Sequence, residues 1–328
     1  MDRPRDRLTS DNPQLSGPTP VTGPAEPQLR STPSAALQHY LHHAVPENTR
    51  RAYAGDLRHF REWGGSIPAS DVMVAEYLAA HAETLSVATL ERRLATLSKT
   101  HGALGIESPT RSHLVKTTLR GIRRCHGAPP RQAAPLLQDD IATMLGAMGQ
   151  RLKDRRDRAL ILVGFFGAFR RSELCAVNCK DITHYPEGVQ IRLRQSKTDQ
   201  ERRGRVVAIG AGEAGYCPVR ALSEWLSAAG IDHGPVFRAV SRAGSVSDRA
   251  LSPEAVNLII KARVKAIGLD PSRFSGHSLR AGFATAAAHA GVPSWRIRAQ
   301  TGHKSDAMLE RYIRHDSELS VKFRTSSS

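Results

Sequence analysis

The sequence contains no run of about 18 apolar residues, the length a membrane-crossing helix needs. Its first residues, MDRPRDRLTSDNPQ, lack the apolar core of a secretory leader, so nothing directs the chain away from the cytoplasm. Cysteine is scarce: the four, Cys125, Cys175, Cys179 and Cys217, form no CxxC pair. A disulfide framework and a zinc ribbon are both excluded, and a reduced, cytosolic setting fits. Nucleotide loops are missing too. There is no GxxxxGK[ST] motif, and the one GxGxxG match, GAGEAG at 210–215, is followed by Tyr216-Cys217-Pro218, which delays the helix that a pyrophosphate would need. It is a turn. With no cluster of carboxylates either, neither a cofactor nor a metal ion is expected.

Acidic residues are outnumbered. Lysine and arginine total 47 against 31 aspartates and glutamates, a formal charge of +16. Residues 1–33 contribute nothing to it, with four basic and four acidic side chains, whereas 34–128 hold twelve against eight and 129–328 hold 31 against 19. The excess therefore sits in the segments that fold, as suits a surface facing the phosphates of a nucleic acid.

The apolar share of 40% and the length of 328 residues describe a soluble, mainly helical protein of two domains. Seven prolines among the first 33 residues mark residues 1–34 as a disordered arm. Residues 35–128 carry four helical signals, which make a small bundle. In PENTRRAYAGDLRHFREWGG, Tyr53, Leu57, Phe60 and Trp63 share a face; Ser70 and Ser86 cap the next two helices; Leu114, Leu119 and Ile122 mark the fourth. Its exposed faces display arginines including Arg50, Arg51, Arg92 and Arg93. A proline-rich linker at 129–136 leads to a larger, mostly helical domain at 137–315, followed by a tail at 316–328. In that domain RDRALILVGFFGAFRRSELCAV reads as a core helix. VQIRLRQSKTDQERRGRVVAI changes to a period of two and reads as an antiparallel hairpin with Lys197 near its turn, and Ser252-Pro253 opens a further helix. The remainder, to Arg314, reads as helical with glycine breaks.

Singly, the polar residues of this domain are ordinary. Arg170 beside Glu173 in GAFRRSEL makes a helix-end ion pair, Lys197 is a solvated hairpin lysine, His277 and Arg280 in HSLR are a surface pair at i and i+3, and Tyr312 is a rim aromatic. Together, Arg170, Lys197, His277, Arg280, His303 and Tyr312 are the set that phosphoryl transfer to a tyrosine requires. Two guanidiniums grip non-bridging oxygens. A charged lysine protonates a leaving alkoxide, a histidine accepts the phenolic proton, and a second histidine adds a donor.

In this order the residues resemble the tyrosine recombinases, or phage integrase family, of the simple two-domain Xer-like type. The resemblance covers about residues 35–314. GAFRRSEL is similar to the family's first box, with Arg170 as catalytic arginine and Glu173 as its supporting acid. QSKTDQ matches the hairpin lysine at Lys197, HSLR the His-x-x-Arg box, GH the histidine at 303, and Tyr312 the nucleophile. The intervals, 303 − 280 = 23 and 312 − 303 = 9, agree with those of the family. Two positions depart from its pattern: Ala281-Gly282 stand where many members carry His and Ser or Thr, and Phe169 replaces a usual Leu.

The resemblance implies a mainly α fold, with a SAM-like four-helix core-binding domain and an α+β catalytic domain that holds a small antiparallel sheet, together gripping duplex DNA as a C-shaped clamp. It implies DNA contacts from Arg50, Arg51, Arg92, Arg93 and Arg171. Strand cleavage would proceed through a 3′-phosphotyrosyl link within a homotetramer on DNA, without metal or ATP, with accessory recombination proteins as further partners and the C-terminal tail docking on a neighbouring protomer. Two other readings stay open: a type IB topoisomerase or telomere-resolving strand transferase, and a non-catalytic DNA-binding accessory protein.

Overall fold

Serine side chains cap several helices of the computed structural model, which describes residues 34–128, 132–194, 204–213, 215–310 and 312–313. The chain divides into two units, Met1–Pro129 and Pro130–Ser328.

The first unit holds α1 (Ala35–His43), α2 (Glu47–Glu62), α3 (Asp71–Ala80), α4 (Val87–Ala103) and α5 (His113–His126). Ser70 and Ser86 accept from the amides of Met73 and Thr89, as their positions in the sequence suggested, and Ser112 does the same for Val115. The helices close over Phe60, Tyr77, Leu78, Leu90 and Leu97. Three details correct the sequence reading. Among the described residues the unit holds five α-helices rather than four, α1 being a short one that buries no residue. Leu114 is exposed and its neighbour Val115 faces the core. Arg93 is buried rather than displayed: its guanidinium lies 3.7 Å from Asp56 and 2.6 Å from the Tyr77 hydroxyl, so the buried carboxylate and phenol draw it inward.

The larger unit is built around α7 (Leu152–Phe166), buried on nearly every side, which packs with α6 (Gln138–Gly146), α9 (Pro218–Ala229) and α10 (Pro253–Ala266). The helix expected through GAFRRSEL is interrupted. Ala168 takes the left-handed conformation at φ 47°, the chain turns, and α8 (Arg171–Ala176) starts afresh. A three-stranded antiparallel sheet follows in the order β1 (Ile182–Tyr185), β2 (Gly188–Leu193), β3 (Arg205–Gly210). Its register sets Val189 against Ile209 and Ile191 against Val207, the alternation read from the sequence. β1 and the pair β4 (Arg238–Val240) and β5 (Val246–Ala250) were not anticipated, since they are short and largely exposed and carry no apolar alternation. Ser252 caps α10 with Pro253 at its first position, as expected.

The final segment is less helical than the sequence suggested. α11 (His277–His289) and α12 (Ser294–Thr301) are followed by α13 (Asp306–Glu310), which spans only five residues, and Tyr312 stands in a turn beyond it. Ahead of α6, residues 132–136 form an extended strap on α11: the Ala134 amide donates to the Arg273 carbonyl, and the Leu136 amide to that of Ser278. Gly282 permits this, because a Cβ there would lie 1.8 Å from the Leu136 carbonyl oxygen. The proposed arm, the hairpin turn with Lys197 and the tail 316–328 lie outside the described residues, apart from Ser34. Among the described residues, no helix is long and apolar enough to cross a membrane.

Candidate active site

The break after α7 frees two groups that a continuous helix would hold in its interior. One is the carbonyl of Ala168, and the other is Arg170, which becomes the residue preceding α8. Glu173, three positions on, is 2% exposed and accepts from both the Arg170 amide (3.0 Å) and the Arg170 guanidinium (2.6 Å). These two contacts to one carboxylate fix the backbone and side chain of Arg170 together. A second arginine reaches the same carboxylate: Arg205, the first residue of β3, donates to Glu173 at 3.1 Å. Burial alone would raise the Glu173 carboxyl. The Arg170 amide and the charges of Arg205 and Arg170 outweigh it and hold the group below its ordinary range.

Arg280, on the first turn of α11, is 1% exposed. Its Nη1 donates to the Ala168 carbonyl at 2.8 Å and to the Thr301 carbonyl, so the strained residue and the end of α12 both grip it. Burial first, and then the charge of Arg170, push Arg280 down to about 10. It remains a cation at neutral pH. The left-handed Gly302 then ends α12, hands its carbonyl to Arg170 at 3.4 Å, and turns the chain so that His303 points inward. His303 is held neutral, pushed down to about 3 by burial and then by the charges of Arg280, Arg170 and Arg205.

Tyr312 completes the cluster. Its ring lies 4.6 Å from that of His303, centroid to centroid, and the Arg280 guanidinium carbon is 5.6 Å from the phenol centroid. The Thr285 hydroxyl donates to the Tyr312 carbonyl at 3.1 Å, which anchors the turn. Beside Tyr312 a cleft of about 560 Å³ opens, lined by His277, Arg171, Lys261 and Arg273 among others. The structure thus brings together Arg170, Glu173, Arg280, His303 and Tyr312, with His277 and Arg171 on the adjoining cleft. Lys197 lies outside the described residues. Arg50, Arg51 and Arg92 belong to the first unit: Arg51 pairs with Glu47 and Arg92 with Asp56, while Arg93 is internal.

Sequence reading missed Arg205 and Gln300. The Arg205 guanidinium also donates to the Gln300 carbonyl, and the Gln300 side-chain amide donates to the carbonyls of Phe166 (2.8 Å) and Ala208 (2.9 Å). These residues tie α12 to α7 and to the sheet. Nothing local in the sequence distinguishes them from surface polar residues.

The assembly has three guanidiniums around one carboxylate. Arg280 Nε and Nη2 and Arg205 Nε are buried donors with no hydrogen-bond partner among the described residues, and His303 Nε2, also buried, has none either. Buried donors in a cationic site call for an anion with several acceptor oxygens. Among the described residues no group of histidine, cysteine and carboxylate side chains is placed to hold a metal ion.

Residues 135–318 match the model of the phage integrase family. Across 283 residues the chain is 38% identical to an integrase/recombinase XerD homolog from Selenomonas ruminantium, covering 83% of each protein. It is 27% identical over 285 residues to the recombinase Cre of Escherichia phage P1, covering 80% of this chain and 81% of that one. In fold it is similar to a lambda integrase whose tetramer was solved on a Holliday junction, with a TM-score of 0.60 at 20% identity, covering 85% of this chain and 76% of the other. The family match extends over more than half of the chain and centres on the arginine, histidine and tyrosine cluster. This protein therefore belongs to the phage integrase family, the tyrosine recombinases, enzymes that cleave and rejoin DNA.

Proposed function

We propose that Tyr312 is the nucleophile of site-specific strand exchange, and that Arg170, Arg280 and His303 bind the phosphodiester it attacks. The observation that carries this reading is the packing of the Tyr312 ring beside His303, tilted 38° to it, and over Arg280, whose Nε and Nη2 have no partner among the described residues. The phenol and a buried phosphate-gripping cation share one site. Because the ring covers the guanidinium, a phosphate reaches Arg280 only when the ring swings aside, and the same swing brings the phenolic oxygen to the phosphorus.

The phenolic oxygen forms a bond to phosphorus as the bond to the 5′ oxygen breaks, giving a 3′-phosphotyrosyl link and a 5′ hydroxyl. Lys197 supplies the proton to the leaving oxygen. Arg170 and Arg280 neutralise the charge that builds on the non-bridging oxygens, and Glu173 keeps Arg170 oriented. His277, on the rim of the cleft, takes the phenolic proton, since a phenol with a pKa near 10 needs a base at neutral pH. Attack by a 5′ hydroxyl from a partner strand reverses the step, so bond energy is conserved. Two such rounds in a homotetramer on double-stranded DNA exchange both strands. The tetrameric lambda integrase complex supports that assembly by its similar fold, and Arg50, Arg51, Arg92 and Arg171 contribute phosphate contacts.

The test is to recover the protein from its own host under denaturing conditions, digest it, and examine Tyr312 for attached nucleotide while sequencing the linked DNA. Attachment at Tyr312 with a recurrent sequence supports the assignment. Attachment at another residue, or none during active recombination, removes it.

A further inference from the structure

At the start of the segment TGHKSDAMLERYIR, residues 301–314, one hydroxyl bears on the chemistry. Thr301 is fully buried at the end of α12. Its Oγ1 is 2.7 Å from the carbonyl oxygen of Ile297, one helical turn back, and 2.9 Å from His303 Nδ1. A threonine hydroxyl has one proton to give, and a carbonyl oxygen only accepts. The proton therefore belongs to the Ile297 contact, which leaves the Thr301 oxygen as acceptor and requires Nδ1 to be the protonated nitrogen of His303. The opposite assignment would press two acceptors together at 2.7 Å. Nε2 then carries a lone pair. It is buried and without a partner among the described residues, and its ring packs beside that of Tyr312.

We infer that Thr301 is a positioning residue that fixes His303 as its Nδ1–H tautomer, so that before DNA binds His303 offers the site a proton acceptor rather than a donor. The inference rests on the recombinase reading of His303 and refines it. A neutral ring with its lone pair at Nε2 cannot donate to a phosphate oxygen, and the cations around it, Arg280, Arg170 and Arg205, oppose protonation from solvent. Once a bound phosphate anion offsets those cations, Nε2 takes a proton from solvent and the imidazolium donates a hydrogen bond to a non-bridging oxygen, while the phenolic proton goes to His277.

Long-range proton–nitrogen spectra of the full-length protein labelled with ¹⁵N-histidine test this without DNA, with His303→Gln used to assign the resonance. At neutral pH wild type and Thr301→Ser should show His303 protonated at Nδ1, while Thr301→Val, which keeps the shape but removes the acceptor, should show the Nε2–H form or a mixture. Covalent-complex formation on DNA should slow by up to about 10²-fold in Thr301→Val at unchanged DNA affinity, as misplacement of a site group can cost, and recover in Thr301→Ser. An Nε2–H tautomer in wild type, or an unchanged spectrum in Thr301→Val, overturns the inference. If Tyr312 instead proves not to be the nucleophile, the spectra still report the tautomer, so the two failures are distinguishable.

Discussion

The Arg205 guanidinium and the Glu173 carboxylate meet at 3.1 Å, and through that contact the first residue of β3 holds the acid that orients Arg170. The same guanidinium grips the Gln300 carbonyl at the end of α12, so one side chain sets the distance between the Arg170 turn and the connection from α12 to α13 that carries His303. Arg205→Ala leaves a buried carboxylate with one cation instead of two. Breaking a buried pair costs about 3 kcal/mol, and thermal unfolding should register a loss of that size. Strand cleavage should fall by roughly 10- to 100-fold, with DNA affinity by fluorescence anisotropy changed far less. Arg205→Lys, which reaches one acceptor at a time, should recover only part of the rate. Equal losses in affinity and cleavage would mean that Arg205 binds DNA rather than positioning its neighbours.

Tyr312→Phe should retain DNA binding and form no covalent complex on a nicked substrate from which the cleaved strand cannot be religated. Arg280→Ala should lose on the order of 10²-fold or more in cleavage, as removal of a charge-stabilising donor does. It should also lose stability, because the carbonyls of Ala168 and Thr301 both rest on its Nη1. Gel separation of covalent from free protein under denaturing conditions measures the first effect, and calorimetry the second.

How much of this was legible in the sequence depended on whether the signal was local. Ser70, Ser86 and Ser252 announced helix starts because a cap acts within three residues. Val189, Ile191, Val207 and Ile209 announced the hairpin because alternation survives wherever one face is buried. The site was legible only as an ordered set of residue types, since Arg170, Arg280 and Tyr312 are ordinary one at a time. Features that depend on tertiary contact stayed hidden. Arg93 follows Arg92 on a helix that looks solvated, yet Asp56 and Tyr77 from other helices draw it inside. Ala168 adopts a conformation that its residue type disfavours because its carbonyl meets Arg280, 112 positions away. Arg205 and Thr301 look like any polar residue at an element's end until their partners are in place.

Stability should depend on pH through His303. Its folded pKa of about 3 lies below the ordinary value of 6.5, so between these limits the unfolded chain binds more protons than the folded one. Stability therefore rises with pH across the window and is lost as pH falls from 6.5 toward 3. The full effect is on the order of a few kcal/mol. Glu173, also depressed, adds to the loss at the acid end, where its carboxylate protonates. Thermal unfolding between pH 4 and 7 should show His303→Gln losing less stability on acidification than wild type. Parallel curves for the two proteins would contradict the burial assigned to this ring.

The strap ahead of α6 provides a test in which one type of substitution takes opposite signs at two places. Gly282→Ala puts a methyl group where the Leu136 carbonyl oxygen lies, 1.8 Å from the ideal Cβ, and both partners are backbone, so neither side gives way cheaply. The strap must lift or α11 must shift. Overpacking of this kind costs roughly 1–3 kcal/mol. Since α11 carries His277 and Arg280, cleavage should fall with stability. Gly121→Ala, in the middle of α5 with nothing within 4 Å of its ideal Cβ, meets no obstacle. There alanine should stabilise by up to about 1 kcal/mol, through helix propensity and a less disordered unfolded chain. Melting curves of the two variants should move in opposite directions. If Gly282→Ala melts with wild type, the close approach of the strap to α11 is not a feature of the folded protein.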